Sequence, residues 1–319
     1  MFSHPQVLAR GAGLAAVSCA SPSSCVALDT DGRAYHYDGS RWSGPQSIPG
    51  LAPGPGAGAV SVSCASASMC VAIPTGASQV ATWNGEAWSG PTTLSGADGL
   101  EAVGCAASGY CAAVDGVGNS FEFNGQTWQR TAGDWGSVSA ISCVSSSFCV
   151  SASGGISEWS GAAWSSPNSF GATSSLTGVS CPSAAFCTAV DNAGEALQWN
   201  GTAWSGPIRI EPGQPSATTV GPAPTAVSCP NSTICAAVDD SGALIEWRNG
   251  TWSRSDVDEA HELTSVSCPT STFCVAVDKD GNVLVGRTGT RSSLRRRLAR
   301  MSRRPPRADL SPLRRRPSG

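Results

Sequence analysis

Charge is scarce in this chain: lysine, arginine, aspartate and glutamate make up only 13% of its 319 residues, and it has just three histidines, three methionines and three tyrosines. His4, His36 and His261 stand far apart and no cysteines form CxxC knuckles, which excludes zinc-finger spacing. No apolar run is long enough to cross a bilayer as a helix. The signatures GxSxG, HExxH, the P-loop and a GxGxxG after a strand are missing, so the sequence marks no catalytic residue. Helical periodicity is also weak; apolar residues come in short runs divided by Gly, Pro, Asn and Asp.

What the chain does have is fourteen cysteines, all in pairs with five residues between: Cys19/Cys25, Cys64/Cys70, Cys105/Cys111, Cys143/Cys149, Cys181/Cys187, Cys229/Cys235 and Cys268/Cys274. Successive pairs start 38 to 48 residues apart, the period of a propeller blade. The unit beginning at Thr177 shows the pattern: one run ends at Cys181, a second runs from Cys187 to Asp191, and an Asp-x-x-Gly turn leads to a third. The third ends in Trp199-Asn-Gly, a hairpin signal, and the fourth carries Trp204-Ser-Gly-Pro, suited to an outer edge. Four antiparallel strands per unit predict a seven-bladed, all-β propeller. A β-solenoid fits less well, because its coils do not need two tight hairpins per unit.

The ends predict how the ring closes. The seventh unit has no Trp-Ser-x-Pro strand, whereas Phe2-Ser-His-Pro-Gln-Val-Leu matches Trp42-Ser-Gly-Pro-Gln-Ser-Ile. Residues 2–9 are therefore expected as the outer strand of the last blade, removing an open edge. The propeller is assigned to 1–289, with Pro/Gly-rich connections at 49–59 and 211–224, and 290–319 is expected to be a disordered Arg/Pro-rich tail. From residue 287 onward the chain has twelve basic residues and one acidic. The body before it has eight basic against 22 acidic, a balance of −14.

The cysteine pairs read as hairpin disulfides, since residues facing each other across two antiparallel strands are close enough to bridge. The five residues between each pair are expected to form the hairpin loop. Each such closure stabilises by about 2 kcal/mol in the chain-entropy view. Disulfides point to an extracellular or cell-surface location. The first residues, Met1 to Gly13, show no basic segment followed by an apolar one, so the expectation of export rests on the cysteines.

In a four-stranded blade the first and third hairpins share one face of the disc. That face receives the cysteine loops and aromatic pairs such as Trp83/Trp88, Trp159/Trp164, Trp199/Trp204 and Trp247/Trp252. Indole pairs can stack on sugars, but recurrence in nearly every unit favours packing between blades. The opposite face receives the Asp-x-x-Gly turns, making Asp29, Asp31, Asp115, Asp191, Asp239, Asp240, Asp278 and Asp280 the candidate ligand face. Tight turns account for these aspartates without a metal, and none is assigned, although two of the turns resemble incomplete calcium loops. Their summed field favours cationic partners. Blade two (Pro74-Thr-Gly) and blade four (Ser153-Gly-Gly) break this pattern.

The string S-C-x-S-x-x-x-C-x-A-V-D-x-x-G-x-x-x-x-W-N-G-x-x-W-S-x-P resembles repeats of exported β-propeller-like proteins of high-GC actinobacteria, and more distantly the BNR/sialidase superfamily. The likeness covers residues 2 to about 289 and implies a fold and an outside-the-cell location. The chain departs from the Asp-box pattern S-x-D-x-G-x-x-W, which weakens any transfer of glycosidase activity. Two functions are expected from these features: a monomeric, non-catalytic surface or secreted module binding glycan, cell-wall polymer or protein, or a polysaccharide hydrolase or lyase. A nucleic-acid partner is not expected, because the body is acidic and net basic charge is found only in the tail.

Overall fold

The computed structural model describes residues 2–51, 60–74, 76–132, 138–170, 174–210, 221–258 and 261–287. Most of the connections 49–59 and 211–224, and all of the tail expected at 290–319, lie outside these residues.

The cysteine repeat becomes seven antiparallel sheets. In blade one Leu14–Ser21, Ser24–Asp29, Arg33–Tyr37 and Trp42–Ser47 are hydrogen-bonded in chain order. The remaining blades begin at Val60, Leu100, Ala140, Leu176, Pro224 and Leu263. The first strand of each is innermost, and Leu14–Ser21 lies against both Val60–Ser66 and Leu263–Thr270, so the ring is continuous. Closure is as the ends predicted. Gln6 and Val7 pair with Val283 and Asn282, and Phe2 bridges to Gly286. Leu8 and Ala9 both donate their N–H to the Gly281 carbonyl. Gly281 takes a φ of +86°, and a Cβ there would lie 2.1 Å from the Ala9 carbonyl oxygen, so the closing strand requires glycine at that turn.

The core lies between blades, with one apolar cluster at each interface. Val26, Leu28 and Ala34 of blade one, for example, pack on Val62, Cys70 and Ala72 of blade two. Strands covered on both faces have no reason to alternate, which explains the nearly unbroken apolar runs.

Every cysteine is bridged to the partner that its spacing predicts: Cys19–Cys25, Cys64–Cys70, Cys105–Cys111, Cys143–Cys149, Cys181–Cys187, Cys229–Cys235 and Cys268–Cys274, with Cα separations of 3.9 to 4.1 Å. The second sulfur of each pair faces the inter-blade core. Cys25, Cys70, Cys111, Cys149, Cys187 and Cys235 are buried there, and Cys274 is partly buried against the cluster between blades six and seven.

The loop between the cysteines is tighter than the five residues expected. In six blades the strands continue past both cysteines. Ser21 pairs with Ser24 beyond Cys19 and Cys25, Ser145 with Phe148 beyond Cys143 and Cys149, and Asn231 with Ile234 beyond Cys229 and Cys235. Thr270 pairs with Phe273 in the same way between Cys268 and Cys274. The chain therefore reverses over two residues. Blade three is the exception. Its ladder ends at the facing pair Cys105 and Cys111, and the Ala106 N–H donates to the Tyr110 carbonyl outside it.

The serine before the first cysteine joins adjacent blades. Ser18 Oγ accepts the Cys64 N–H at 3.0 Å and Ser63 accepts that of Cys105 at 2.9 Å. Ser142, Ser180 and Ser228 do the same for Cys181, Cys229 and Cys268, and Ser267 closes the circle onto Cys19. At the seventh interface Gly104 replaces serine, and a Cβ there would come within 3.0 Å of the Ile141 carbonyl. Each such bond contributes about 1 kcal/mol.

Blade four departs from the pattern. Only Ala140–Ser145, Phe148–Ala152 and Ile156–Trp159 form a sheet, and the fourth segment is reduced to bridges at Trp159–Trp164 and Ile156–Asn168. Outer pairing is also short in blades two and five, whereas blade one, with the same Trp-Ser-x-Pro motif, forms the full strand Trp42–Ser47. Proline offers no N–H, and the serine hydroxyls of Ser89, Ser165 and Ser205 accept the N–H of Thr82, Glu158 and Gln198 instead.

Candidate functional site

The eight candidate aspartates share the face of the second-to-third turns but form two sets. Asp29, Asp115, Asp191, Asp239 and Asp278 are fully buried, whereas Asp31, Asp240 and Asp280 are exposed. In each buried case Oδ1 accepts two backbone N–H groups, two and four residues on. The donors are Asp31 and Arg33, Val117 and Asn119, Ala193 and Glu195, Ser241 and Ala243, and Asp280 and Asn282, at 2.7 to 3.1 Å. The glycine between the two donors adopts a positive φ, as at Gly194 and Gly242. The aspartate thus satisfies donors that the reversal would otherwise bury unpaired.

The second oxygen has a different neighbour in each blade. Asp29 receives Arg33 Nε at 2.7 Å and the Tyr35 hydroxyl at 3.0 Å. Burial, reinforced by Asp29, pushes the Tyr35 phenol up to about 12. Asp115 receives Asn119 Nδ2 and the Asp98 N–H, Asp191 the Ser174 hydroxyl, Asp239 Arg254 Nη2, and Asp278 Asn282 Nδ2. In blades two and four no aspartate is available. Ser153 in blade four donates its hydroxyl to the Gly155 carbonyl at 3.1 Å.

On the opposite face the aromatic pairs are in contact, with ring centres 5.5 to 5.9 Å apart for the four tryptophan pairs. In blades two, four and five their N–H groups tie hairpins and blades together, whereas Trp247 and Trp252 Nε1 of blade six are buried without a hydrogen-bond partner among the described residues. Trp83, Trp159 and Trp199 donate to carbonyls of their own cysteine hairpins. Trp88, Trp164 and Trp204 reach the preceding blade, at His36 Nε2, Ser120 Oγ and Glu158 Oε1. The apolar hairpin residues Met69, Tyr110, Phe148, Phe186 and Phe273 also pack into inter-blade clusters. His36 lies 4.2 Å from the Trp83 ring centre, and burial lowers its pKa against a weaker opposing bond from Gln46.

The Asn-Gly pairs do mark hairpins, but in most blades the reversal is longer than two residues. Trp83 faces Trp88 across four residues, and Asn84 Oδ1 accepts the N–H groups of Glu86 and Ala87. The asparagine acts through its side chain and only Gly85 takes a positive φ. Blade six alone among the described turns has both Asn249 and Gly250 at positive φ, between paired Arg248 and Thr251.

Grooves open between the outer strands, among them these two. One, of about 490 Å³ between blades two and three, is lined by Thr82, Phe121, Phe123, Trp128 and Arg130 among others. The second, of about 560 Å³ beside the closing strand, is lined by residues including Phe2, Tyr37, Arg41, Trp42 and Arg287. Neither lining, as described, includes a carboxylate or histidine, so neither holds the paired carboxylates of glycoside hydrolysis. The buried Glu122 instead accepts hydroxyls from Ser120 and Thr131.

Sequence reasoning passed over Asp98 and Asp258 on the turn face and named His261 without giving it a role. Asp98 is exposed in the connection between blades two and three. Asp258 and His261 lie between blades six and seven, with Oδ1 and Nδ1 2.8 Å apart. Burial raises the Asp258 pKa and Asp278 adds to the rise, while His261 opposes it; Asp258 in turn raises that of His261. The available signal was an Asp-x-x-His in an otherwise histidine-free set of connections.

No family model matches the chain, and no curated protein matches it in sequence. Its fold is shared with solved structures. "YCF48 bound to D1 peptide" is 14% identical, with 90% of this chain and 97% of that one covered at a TM-score of 0.67. The WD40 β-propeller domain of Doa1 is 13% identical over 91% and 98%, at a TM-score of 0.72. A streptogramin B lyase is 12% identical over 90% and 98%, at 0.73. These likenesses support the resemblance noted in the repeats at the level of the β-propeller fold.

Proposed function

We propose that this protein is a non-catalytic binding scaffold of an oxidising, extracytoplasmic compartment, and that it takes a basic protein or peptide segment on its turn face. The observation that carries this reading is how the carboxylates divide there. Five are buried and occupied with backbone donors, while Asp31, Asp98, Asp240 and Asp280 stand exposed beside them. A body with 22 acidic against eight basic residues adds a long-range field of the same sign. Seven disulfides suit an oxidising setting. One structural neighbour, YCF48, is a propeller bound to a peptide, and the grooves lack the carboxylate pair a glycosidase requires.

The test is fluorescence anisotropy of the oxidised full chain with an arginine-rich, a neutral and an acidic peptide, beside a panel of polysaccharide substrates. Saturable binding of the basic peptide alone, weakening as salt rises, is expected. Turnover of any polysaccharide, or indifference to peptide charge, would overturn the reading.

A further inference from the structure

The five buried turn aspartates allow a comparison that isolates one of them. Asp29 is matched by the Arg33 guanidinium at 2.7 Å and Asp239 by that of Arg254 at 3.3 Å. Asp115 and Asp191 face neutral donors. Asp278 also has a neutral donor, Asn282 Nδ2, but meets a second carboxylate as well. One ligand atom from each of Asp258, His261 and Asp278 lies within 4.8 Å of the others. Asp258 is 5% exposed, and its Oδ2 is buried with no hydrogen-bond donor among the described residues. Two carboxylates buried together call for two units of compensating positive charge, and an imidazolium at His261 supplies at most one.

We propose that Asp258, His261 and Asp278 bind a divalent transition-metal ion, zinc in the first instance, which ties the connection between blades six and seven to the turn of blade seven. The donor set of one imidazole and two carboxylates suits zinc, and the imidazole argues against calcium or magnesium. Two carboxylates and a neutral imidazole neutralise a divalent ion completely. Bonds of about 2 Å to zinc place neighbouring ligand atoms about 3 Å apart, and His261 Nδ1 already lies 2.8 Å from Asp258 Oδ1. His261 is partly exposed, which leaves a route for the ion and room for a water ligand. Asp280 Oδ2, 4.0 Å from Nε2, is placed to orient the ring from outside.

The backbone holds these groups in advance. Val257 and Asp258 donate their N–H groups to the Gly242 carbonyl, and His261 donates to that of Asp258. Gly242 has no room for a side chain, since a Cβ would lie 2.0 Å from the Asp258 carbonyl oxygen. The Lys279 N–H donates to the Glu262 carbonyl, fixing the far end of the connection beside the turn that carries Asp278.

The experiment uses the full chain stripped with chelator and dialysed, titrated calorimetrically with zinc chloride, with cobalt as a spectroscopic substitute. One equivalent of zinc should bind, raise the thermal midpoint and, as cobalt, give visible bands of a low-coordinate site. Asp258→Asn and His261→Gln should each weaken zinc at least ~10-fold, since changes even beyond the ligands themselves cost that much. In chelator, Asp258→Asn should melt no lower than the wild type, because it removes one of two facing carboxylates. Zinc uptake unchanged in both variants would mark adventitious binding and overturn the proposal, as would no stoichiometric uptake or a preference for calcium. A chelated Asp258→Asn less stable than the chelated wild type would mean that a shared proton holds the pair, and would overturn it as well.

Discussion

His36 and His261 sit on opposite rims of the ring, and their surroundings push them in opposite directions. His36 lies beneath Trp83 and Trp88, where burial favours the neutral ring. His261 is partly exposed beside Asp258 and Asp280, where the carboxylates favour the charged one. The contrast extends to whole rims. The hairpin rim uses indoles and apolar side chains to lock each blade to its neighbour. The turn rim uses carboxylates to cap reversals and exposes Asp31, Asp98, Asp240 and Asp280 at its surface. Packing and recognition are thereby assigned to different edges of the same sheets.

The hairpin rim should show the larger stability effects. Trp204→Ala removes a buried indole that crosses to Glu158 and is expected to cost about 3–5 kcal/mol by urea denaturation. A loss below about 1 kcal/mol would show that the aromatic pairs are free for ligands. The turn rim comes next. Asp191→Ala leaves two N–H groups and the Ser174 hydroxyl without their acceptor, for an expected loss of about 2–4 kcal/mol. Its retention of full stability would release the buried aspartates for ligand binding.

Smaller effects separate the inner strands from both rims. Ser180→Ala should cost about 1 kcal/mol. Gly104→Ser should bring no gain despite restoring the repeat, because its Cβ meets the Ile141 carbonyl. The smallest effect expected is with pH. Because burial depresses the His36 pKa, the unfolded chain takes up this proton first. The His36 contribution is present above the unfolded value near 6.5 and is lost as pH falls through the folded one. His261, which Asp258 shifts the other way, contributes with opposite sign, so the slope is read as the difference between melting curves of the wild type and His36→Asn from pH 7 to 5, and no difference would contradict it.

The parts of this arrangement that were legible in the sequence are those written along one strand or hairpin. Cys181 and Cys187 announce a hairpin because their partners are near in the chain, and Phe2 announces closure because its segment copies Trp42's. The spacing of Cys229 and Cys235 did not reveal how tightly the chain turns between them, because the residues in between can pair as strand or stay loop. The serine at Ser180 recurs in six of the seven units, yet its partner is the Cys229 N–H in the next blade, which no local pattern reveals. The split between Asp239 and Asp240 was hidden for a similar reason. A turn shows which residues reverse the chain, while burial depends on the blade packed behind it. Asp258 is not marked in the sequence, and His261 stands there without a partner, because their significance arises from Asp278, brought beside them by the ring. The Asn-Gly pairs mark hairpins in the sequence, while the capping by the Asn84 side chain is a feature of the folded turn.

The division of labour between rims is tested most directly by affinity for an arginine-rich peptide in two matched double variants of the oxidised full chain. One neutralises the turn rim, Asp98→Asn with Asp240→Asn; the other neutralises the hairpin rim, Asp38→Asn with Glu86→Gln, all four residues being exposed or partly exposed. Each pair changes net charge equally. Affinity should fall several-fold, with a shallower salt dependence, only in the turn-rim variant. An equal fall in both, or a fall confined to the hairpin rim, would contradict the account.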